Sequence, residues 1–259
     1  MDWTDEGIVL SVHKYGEHDA LLECMTYAHG RHRGFVKSGM SKRQKPILQP
    51  GNHLKLHWRS RIEENLGTYK VDSIHNPLGG IFASREALTA LSAAVSIYST
   101  TLPERDPHTA LYEALAAFVK LLEFEDADLA TFAAALVKLE SGVLDALGYG
   151  INLTECAATG VKDDLVYVSP KSAQAVCHSA GEPYHSKMLP LPSFLLENPV
   201  NAITHREAGQ GLKLTGYFLD RYIWSVYAKG QPAARERLIH RVNVMTDREM
   251  ASEASAGNL

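Results

Sequence analysis

The spacing of apolar residues changes near residue 80, and this change constrains the fold more than any other feature of the chain. Before it, short runs such as residues 7–13 and 54–59 alternate apolar and polar side chains, with Gly and Pro turns between them. After it, apolar residues recur every three or four positions. The first spacing is typical of half-buried strands and the second of amphipathic helices. The sequence therefore predicts an α+β chain of two domains, with the strands first.

Five short strands are predicted in the first domain, which we place at residues 1–80. They cover residues 7–13, 20–27, 31–37, 54–59 and 67–74. So many strands in so short a stretch fit a small closed or nearly closed antiparallel barrel, because closure removes the exposed edges of the sheet. We expect an OB-fold β-barrel.

The second domain, residues 81–250, is predicted to be all-helical. Helices are expected at about residues 83–102, 109–122 and 129–147, with Pro103 and Gly148 as stops, and again near residues 208–227 and 234–244. A turn-rich insertion at about residues 151–192 interrupts them and contains one short strand candidate at residues 165–168. Residues 251–259 are small and polar, so we predict a flexible tail.

Composition favours a folded protein of the cytoplasm. The chain has 45% hydrophobic and 22% charged residues, and its three cysteines are odd in number and widely spaced, which argues against a disulfide framework. The first residues are acidic where a signal peptide would be basic, and no apolar run approaches membrane-spanning length. We expect no membrane association.

The charges are segregated along the chain although the net charge is −4. No Asp or Glu occurs between Cys24 and Glu63, and this stretch contains nine cations. They are Arg31, Arg33, Lys37, Lys42, Arg43, Lys45, Lys55, Arg59 and Arg61. Local clustering determines the field at a surface more than the total charge does.

These nine cations are the candidate DNA-binding residues. Phosphates require cations along a groove and unpaired bases require flat side chains, which Phe35, Trp58 and Tyr69 offer nearby. The loop at residues 38–46 is the most specific candidate for DNA binding, because its Gly and Ser residues are expected to make it flexible and exposed. The alternative is that the cations cover a solvated face while the aromatic rings lie in the core, and Trp58 alternates as a core residue does.

Cys156 and Cys177 are the only thiols close enough in sequence to share a metal. A structural zinc ion needs about four ligands, and Thr159 and Ala180 stand where each C-x-x-C pair would have its second cysteine. Either His178 or His185 replaces a missing zinc ligand, or two ordinary thiols lie in a loop that is packed by other means. We predict no cofactor.

No nucleophile, phosphate-loop or zinc-hydrolase motif occurs, so catalysis is not expected. Five histidines lie in the strand region, namely His13, His29, His32, His53 and His57. They are interpreted as outward polar positions that alternate with core residues. Two alternatives to a DNA-binding factor stay open: a metal-dependent nucleic-acid hydrolase that uses these histidines, and a protein-interaction adaptor without DNA contact.

Several phrases, in their order along the chain, resemble the RecO family of bacterial DNA repair and recombination mediators. They include WTDEGIVL at residues 3–10, KYGEHD at 14–19 and LQPGN at 48–52, followed by LPERDPH at 102–108, LGYGINL at 147–153 and CAATG at 156–160. The resemblance covers roughly residues 1–248.

The resemblance implies an N-terminal OB-fold that binds single- and double-stranded DNA, followed by a helical domain. It also implies two protein partners, RecR and the C-terminal tail of the single-stranded-DNA-binding protein, and a role in strand annealing and in loading RecA at the nucleoid. Some members hold zinc between two C-x-x-C pairs. Here each pair retains one cysteine, so the resemblance implies a degenerate zinc-finger-like loop.

Overall fold

The computed structural model describes residues 1–62, 64–197, 202–227 and 230–256. The chain divides into two compact units, Met1–Ala127 and Asp128–Leu259. The predicted boundary near residue 80 separates strands from helices, whereas the first compact unit also includes the first helices.

Five strands form a closed barrel in the first unit. They are β1 (Asp2–Tyr15), β2 (Asp19–Thr26), β3 (Gly30–Val36), β4 (His53–Arg59) and β5 (Thr68–His75), in the spatial order β1-β2-β3-β5-β4. All neighbours are antiparallel except β3 and β5, which pair in parallel over only two residue pairs, Phe35 with Thr68 and Val36 with Tyr69. The predicted OB-like barrel is confirmed.

The strand β1 is longer than predicted because it pairs with two neighbouring strands. Its first half, Asp2 to Ile8, pairs with β4, and the part from Gly7 to Tyr15 pairs with β2. A register shift between Val9 and Ser11 bends the strand between the two partners. One strand thereby closes the barrel.

Alternate strand residues fill the barrel interior, as the period-two pattern predicts. The buried cluster comprises Val9, Ala20, Leu22, Cys24, Val36, Leu48, Leu54, Leu56, Trp58 and Tyr69. Gly34 is needed for this packing, since a Cβ atom there would lie 2.6 Å from the Tyr69 ring. The odd-numbered side chains of β4 consequently point outward.

Three helices complete the first unit: α1 (Leu78–Ile81), α2 (Arg85–Thr101) and α3 (Thr109–Leu121). Ser84 caps α2 by accepting a hydrogen bond from the Ala87 N–H at 3.1 Å. Helix α2 packs on the barrel, where Ser99 donates a hydrogen bond to Glu23 of β2. Helix α3 contacts it through a hydrogen bond between Tyr112 and His53. Both helices follow the predicted spacing closely.

The second unit contains α4 (Leu129–Ala146), α5 (His178–Gly181), α6 (His205–Leu219) and α7 (Ala233–Ala256). A π-helical turn, Asp220–Trp224, continues α6. The buried Arg235 of α7 donates hydrogen bonds to the buried Glu140 of α4 at 2.7 and 2.8 Å, so each charge is neutralised by the other. The helical domain is confirmed.

The turn-rich insertion contains a three-stranded sheet rather than a single strand. Strand β6 (Leu165–Val168) lies at the predicted position, between β7 (Ala175–Cys177) and β8 (Leu189–Pro190). Two 3₁₀ turns, Glu182–Lys187 and Ser193–Leu195, follow β7 and β8.

The end of the chain differs from the predicted tail. Helix α7 continues to Ala256, because the Ala- and Glu-containing residues from 251 onward favour helix as well as they favour exposure. Residues 257–259 of that predicted tail lie outside the described residues. Within the described ranges, no helix combines the length and the apolar character needed to cross a membrane.

Candidate nucleic-acid interface

The outer face of β4 presents Lys55, His57 and Arg59, because the core residues alternate with them. The register sets Lys55 between Glu6 of β1 and Asp72 of β5, and it sets His57 between Thr4 and Lys70. Arg59 lies between Asp2 and Thr68. Lys55 therefore has an acidic neighbour on both sides, whereas Arg59 has only one, Asp2.

Three exposed cations line one groove on the barrel. The groove includes Lys37, which follows β3, Arg59 of β4 and Lys70 of β5, together with Gln44. Asp2 and Asp72 also line it, but neither forms an ion pair with these three cations in the described part of the chain. We call the surface of Lys37, Gln44, Arg59 and Lys70 the cation groove.

A second concave surface adjoins the cation groove at Arg59 and Thr68. It is lined by Phe35, Arg59, Arg61, Asn65 and Thr68, and we call it the barrel rim. The ring of Tyr15 lies 4.6 Å from that of Phe35, and Tyr15 is 56% exposed. The rim therefore combines two cations with accessible aromatic rings, near the β1–β2 and β4–β5 turns with which OB-folds bind oligonucleotides.

The loop at residues 38–46, the basic loop, exposes Lys42, Arg43 and Lys45. It is held by internal hydrogen bonds, such as that from the Lys45 N–H to the Ser41 carbonyl at 2.9 Å. Asn52 also donates to the carbonyls of Pro46 and Ile47. Hydrogen bonds to Ser41 and from Asn52 thus hold part of the backbone of a loop that the sequence predicts to be flexible. Gln44 connects the loop to the cation groove.

Arg31 and Arg33 both form ion pairs with carboxylates. Arg31 forms an ion pair with Glu23, Arg33 forms one with Glu104, and Arg31 also donates to the Leu102 carbonyl at 2.8 Å. The stretch between Cys24 and Glu63 contains no acidic residue, but Glu104, which follows α2, still brings a carboxylate to β3. The structure separates these two cations from the other seven.

The remaining seven predicted cations are all exposed: Lys37, Lys42, Arg43, Lys45, Lys55, Arg59 and Arg61. In the described ranges, none of them forms an ion pair. Lys55 stands apart from the cation groove and from the rim, and its cross-strand neighbours are acidic. The structure groups the other six around the cation groove, the rim and the basic loop.

Two of the three predicted aromatic residues belong to the core. Trp58 and Tyr69 are 2% and 3% exposed, so the interpretation of Trp58 as a core residue is confirmed. Only Phe35 reaches the rim. Its partner Tyr15, which ends the outward alternation of β1, was not predicted from the sequence, and neither was Lys70, which alternates with the buried Tyr69.

The five histidines do not form one site. His32 is buried inside the barrel and hydrogen-bonded to the Tyr69 hydroxyl at 2.6 Å, so its interpretation as an outward residue is wrong. Its pKa is lowered to about 4 by burial and by the charges of Arg105 and His29. His29 pairs with Asp5, His53 contacts Tyr112 and Glu6, and His57 hydrogen-bonds to Thr4. His13 is exposed on β1.

Cys156 and Cys177 lie side by side. The Cys177 N–H donates to the Cys156 sulfur at 3.2 Å, and the Thr159 hydroxyl lies 3.6 Å from the Cys177 sulfur. Burial raises the pKa of Cys156, but hydrogen bonds from Cys177 and Thr159 outweigh it, and the pKa falls to about 6. Two thiols and a hydroxyl do not fit a tetrahedral zinc ion. No group of three potential metal ligands was found among the described residues.

Comparison with known proteins gives matches over nearly the whole chain. Residues 1–77 match the family model described as Recombination protein O N terminal, and residues 83–228 match Recombination protein O C terminal. A DNA repair protein RecO of Brucella abortus (strain 2308) is 40% identical over 252 residues, which cover 97% of this chain and 100% of that protein. Proteins of the same name from Methylobacterium nodulans and Mesorhizobium japonicum are each 43% identical, over 92% and 91% of this chain and 97% and 91% of their own lengths.

Proposed function

This chain belongs to the recombination protein O family, and from that membership we propose that it binds single- and double-stranded DNA without sequence preference and anneals complementary strands. The relatives named DNA repair protein RecO support a role in DNA repair and recombination. One observation supports the DNA contact itself. Seven exposed cations, the six predicted ones and Lys70, are unpaired among the described residues and surround adjoining concave surfaces on a closed OB-like barrel.

The proposed mechanism is electrostatic and needs no covalent chemistry. The cation groove and the basic loop would neutralise phosphates of one or two strands, and counterion release would supply much of the binding free energy. Tyr15 and Phe35 would stack on unpaired bases at the rim. With phosphate repulsion reduced, complementary strands can approach and pair.

The proposal also includes protein partners. We propose RecR and the C-terminal tail of the single-stranded-DNA-binding protein, and we propose that the chain assists RecA loading on DNA coated by that protein. Family membership is the support for these partners. The barrel supports only the DNA contact.

A triple substitution tests the basic loop. Lys42→Ala, Arg43→Ala and Lys45→Ala together should weaken binding to a fluorescent oligonucleotide by about tenfold or more at low salt. The plot of log affinity against log salt should become shallower, by up to about 2 for a single strand, because each lost phosphate contact removes about 0.7 from the slope. Fluorescence anisotropy over a salt series measures both quantities.

A matched triple variant separates local charge from net charge. Lys138, Lys162 and Lys187 are exposed in the second unit, and replacing all three with Ala changes the net charge by the same amount. This control should retain the affinity and the salt slope of the wild type. Equal losses in both triple variants would contradict the proposed interface.

Strand annealing tests the activity. The basic-loop variant should anneal complementary oligonucleotides more slowly than the control variant, both on bare DNA and on DNA precoated with the cognate single-strand binder. Incubation with divalent metals should leave the strands uncut. Strand cleavage by the purified protein would instead support the hydrolase alternative.

A further inference from the structure

Three aromatic rings of the second unit form a continuous stack from the core to the surface. The ring of Phe218, buried in α6, lies 6.1 Å from that of Tyr222 with an interplanar angle of 10°. Tyr222 in turn lies 4.5 Å from Tyr149 with an angle of 6°. Tyr149 ends the stack and is 41% exposed. We call these three residues the tyrosine platform.

Local backbone structure determines where each ring lies. Tyr149 follows α4, where Gly148 has a φ of +83° and ends the helix, and the Tyr149 N–H donates to the Leu144 carbonyl at 2.7 Å. Phe218 and Tyr222 are four residues apart where α6 passes into the π-helical turn. Such turns occur frequently at functional sites. The stack is therefore held by two separate elements.

A cation lies beside the platform. The Arg221 guanidinium carbon is 5.3 Å from the centre of the Tyr222 ring, and the group is fixed by a hydrogen bond to the Pro170 carbonyl. Lys171 follows Pro170 in the chain and is exposed. Asp145 and Asp220 are also exposed nearby, so the surroundings carry both signs of charge. Stacking, more than phosphate attraction, is the interaction that this surface offers.

We infer that the tyrosine platform is a second nucleic-acid contact, at which an unpaired base of a single strand stacks on the outer face of Tyr149. This inference rests on the proposed function, because it presupposes that the chain handles single-stranded DNA. An exposed ring backed by two parallel rings is a flat, rigid surface, and stacking on such a ring tolerates every base. Arg221 and Lys171 would contact the flanking phosphates.

The experiment compares three variants of the full chain at position 149. Tyr149→Phe retains the ring, Tyr149→Leu retains apolar bulk without a ring, and Tyr149→Trp supplies a fluorophore at the same place. Binding of an oligothymidine strand should be unchanged in Tyr149→Phe. It should be about tenfold weaker in Tyr149→Leu, which corresponds to the loss of one stacked base. The salt slope should stay the same, and the added indole emission of Tyr149→Trp, measured as the difference from the wild type, should be quenched on binding.

An abasic oligonucleotide of equal length distinguishes stacking from other contacts. It keeps the phosphates and lacks the bases, so the wild type and Tyr149→Leu should bind it equally. The inference is overturned if Tyr149→Leu binds oligothymidine like the wild type, or if its deficit persists on the abasic strand. If the wild type binds no DNA even at low salt, the proposed function is overturned as well, whereas normal wild-type binding with an unaffected Tyr149→Leu overturns the platform alone.

Discussion

The buried surroundings of the His32 ring strongly lower its pKa. Its ring lies edge-on to those of Trp3 and Trp58, at centroid distances of 5.0 and 5.3 Å, and bonds to the Tyr69 hydroxyl. Burial is the main cause that lowers its pKa to about 4, and burial likewise raises the pKa of Tyr69 well above its usual value. Both side chains are therefore neutral at pH 7, which suits an apolar interior.

The barrel should lose stability as the pH falls from about 6.5 to 4. The folded state resists protonation of His32 in this window whereas the unfolded chain accepts the proton, so the unfolded state gains stability as protons are added. The loss at pH 4.5 should reach about 2 kcal/mol from this residue. A His32→Gln variant, which has no titrating ring, should be less stable at pH 7 but should lose less between pH 7 and pH 4.5. Urea unfolding at both pH values measures the difference, and parallel losses in the two proteins would contradict the assignment.

At the scale of elements, α2 and the segment after it cover part of the outer face of the β2–β3 pair. Glu23 of β2 accepts hydrogen bonds from Ser11 and Ser99 and pairs with Arg31. Glu104, which follows α2, pairs with Arg33, whose side chain is still 41% exposed. The end of the helix and the segment after it thus cover Arg31 and neutralise the charge of Arg33.

Replacing Glu104 should strengthen DNA binding. Glu104→Gln leaves Arg33 charged and releases it from its carboxylate, so affinity should rise a few-fold and the salt slope should steepen by up to about 0.7. Stability should change by less than about 1 kcal/mol, since the pair is partly exposed. Glu123→Gln, which removes an equal charge beside His75, is the control for net charge. A Glu104→Gln variant no tighter than this control would show that Arg33 is not accessible to DNA.

Elements defined by local periodicity could be predicted from the sequence. Alternation located β4 and β5, and the spacing of apolar residues located α2, α3 and α4 to within a few residues of their ends. The full length of β1 could not be predicted in this way, because its first half is defined by pairing with β4, about fifty residues away. Local patterns do not reveal such partners.

The candidate site was predictable to the same extent. Six of its cations come from one acid-free stretch, and their exposure follows from alternation or from the loop. The ion pair of Arg33 with Glu104 joins chain segments about seventy residues apart, and so does the hydrogen bond from Arg31 to the Leu102 carbonyl. Local patterns therefore could not predict that these two cations are paired. The contact of Tyr15 with Phe35 likewise joins β1 to β3, two strands that do not pair with each other.

At the scale of the whole molecule, the compact unit that contains the barrel extends to Ala127. The predicted domain boundary near residue 80 would cut the barrel from α2 and α3. Leu91 of α2 packs against Gly51, and Tyr112 of α3 bonds to His53. The two helices therefore cover surface that an isolated barrel would expose to water.

A fragment of residues 1–127 should consequently be more stable than a fragment of residues 1–80. Without α2, the buried Glu23–Arg31 pair and the apolar residues beside it become exposed, and hydrophobic burial is lost. Thermal unfolding followed by circular dichroism should give the longer fragment a clearly higher midpoint, and limited proteolysis should degrade it more slowly. Equal midpoints would show that the barrel is complete by residue 80.

The two-residue parallel pairing of β3 with β5 also has a dynamic consequence. It is the narrowest junction in the barrel, where Phe35 donates its N–H to the Gly67 carbonyl at 3.0 Å, and both strands contribute to the rim. A ligand lying there would touch both sides of the junction and so favour its intact form over transient local opening. The ligand-bound barrel would then open locally less often than the free barrel. The amide hydrogen of Phe35 would therefore exchange with solvent more slowly when ligand is bound.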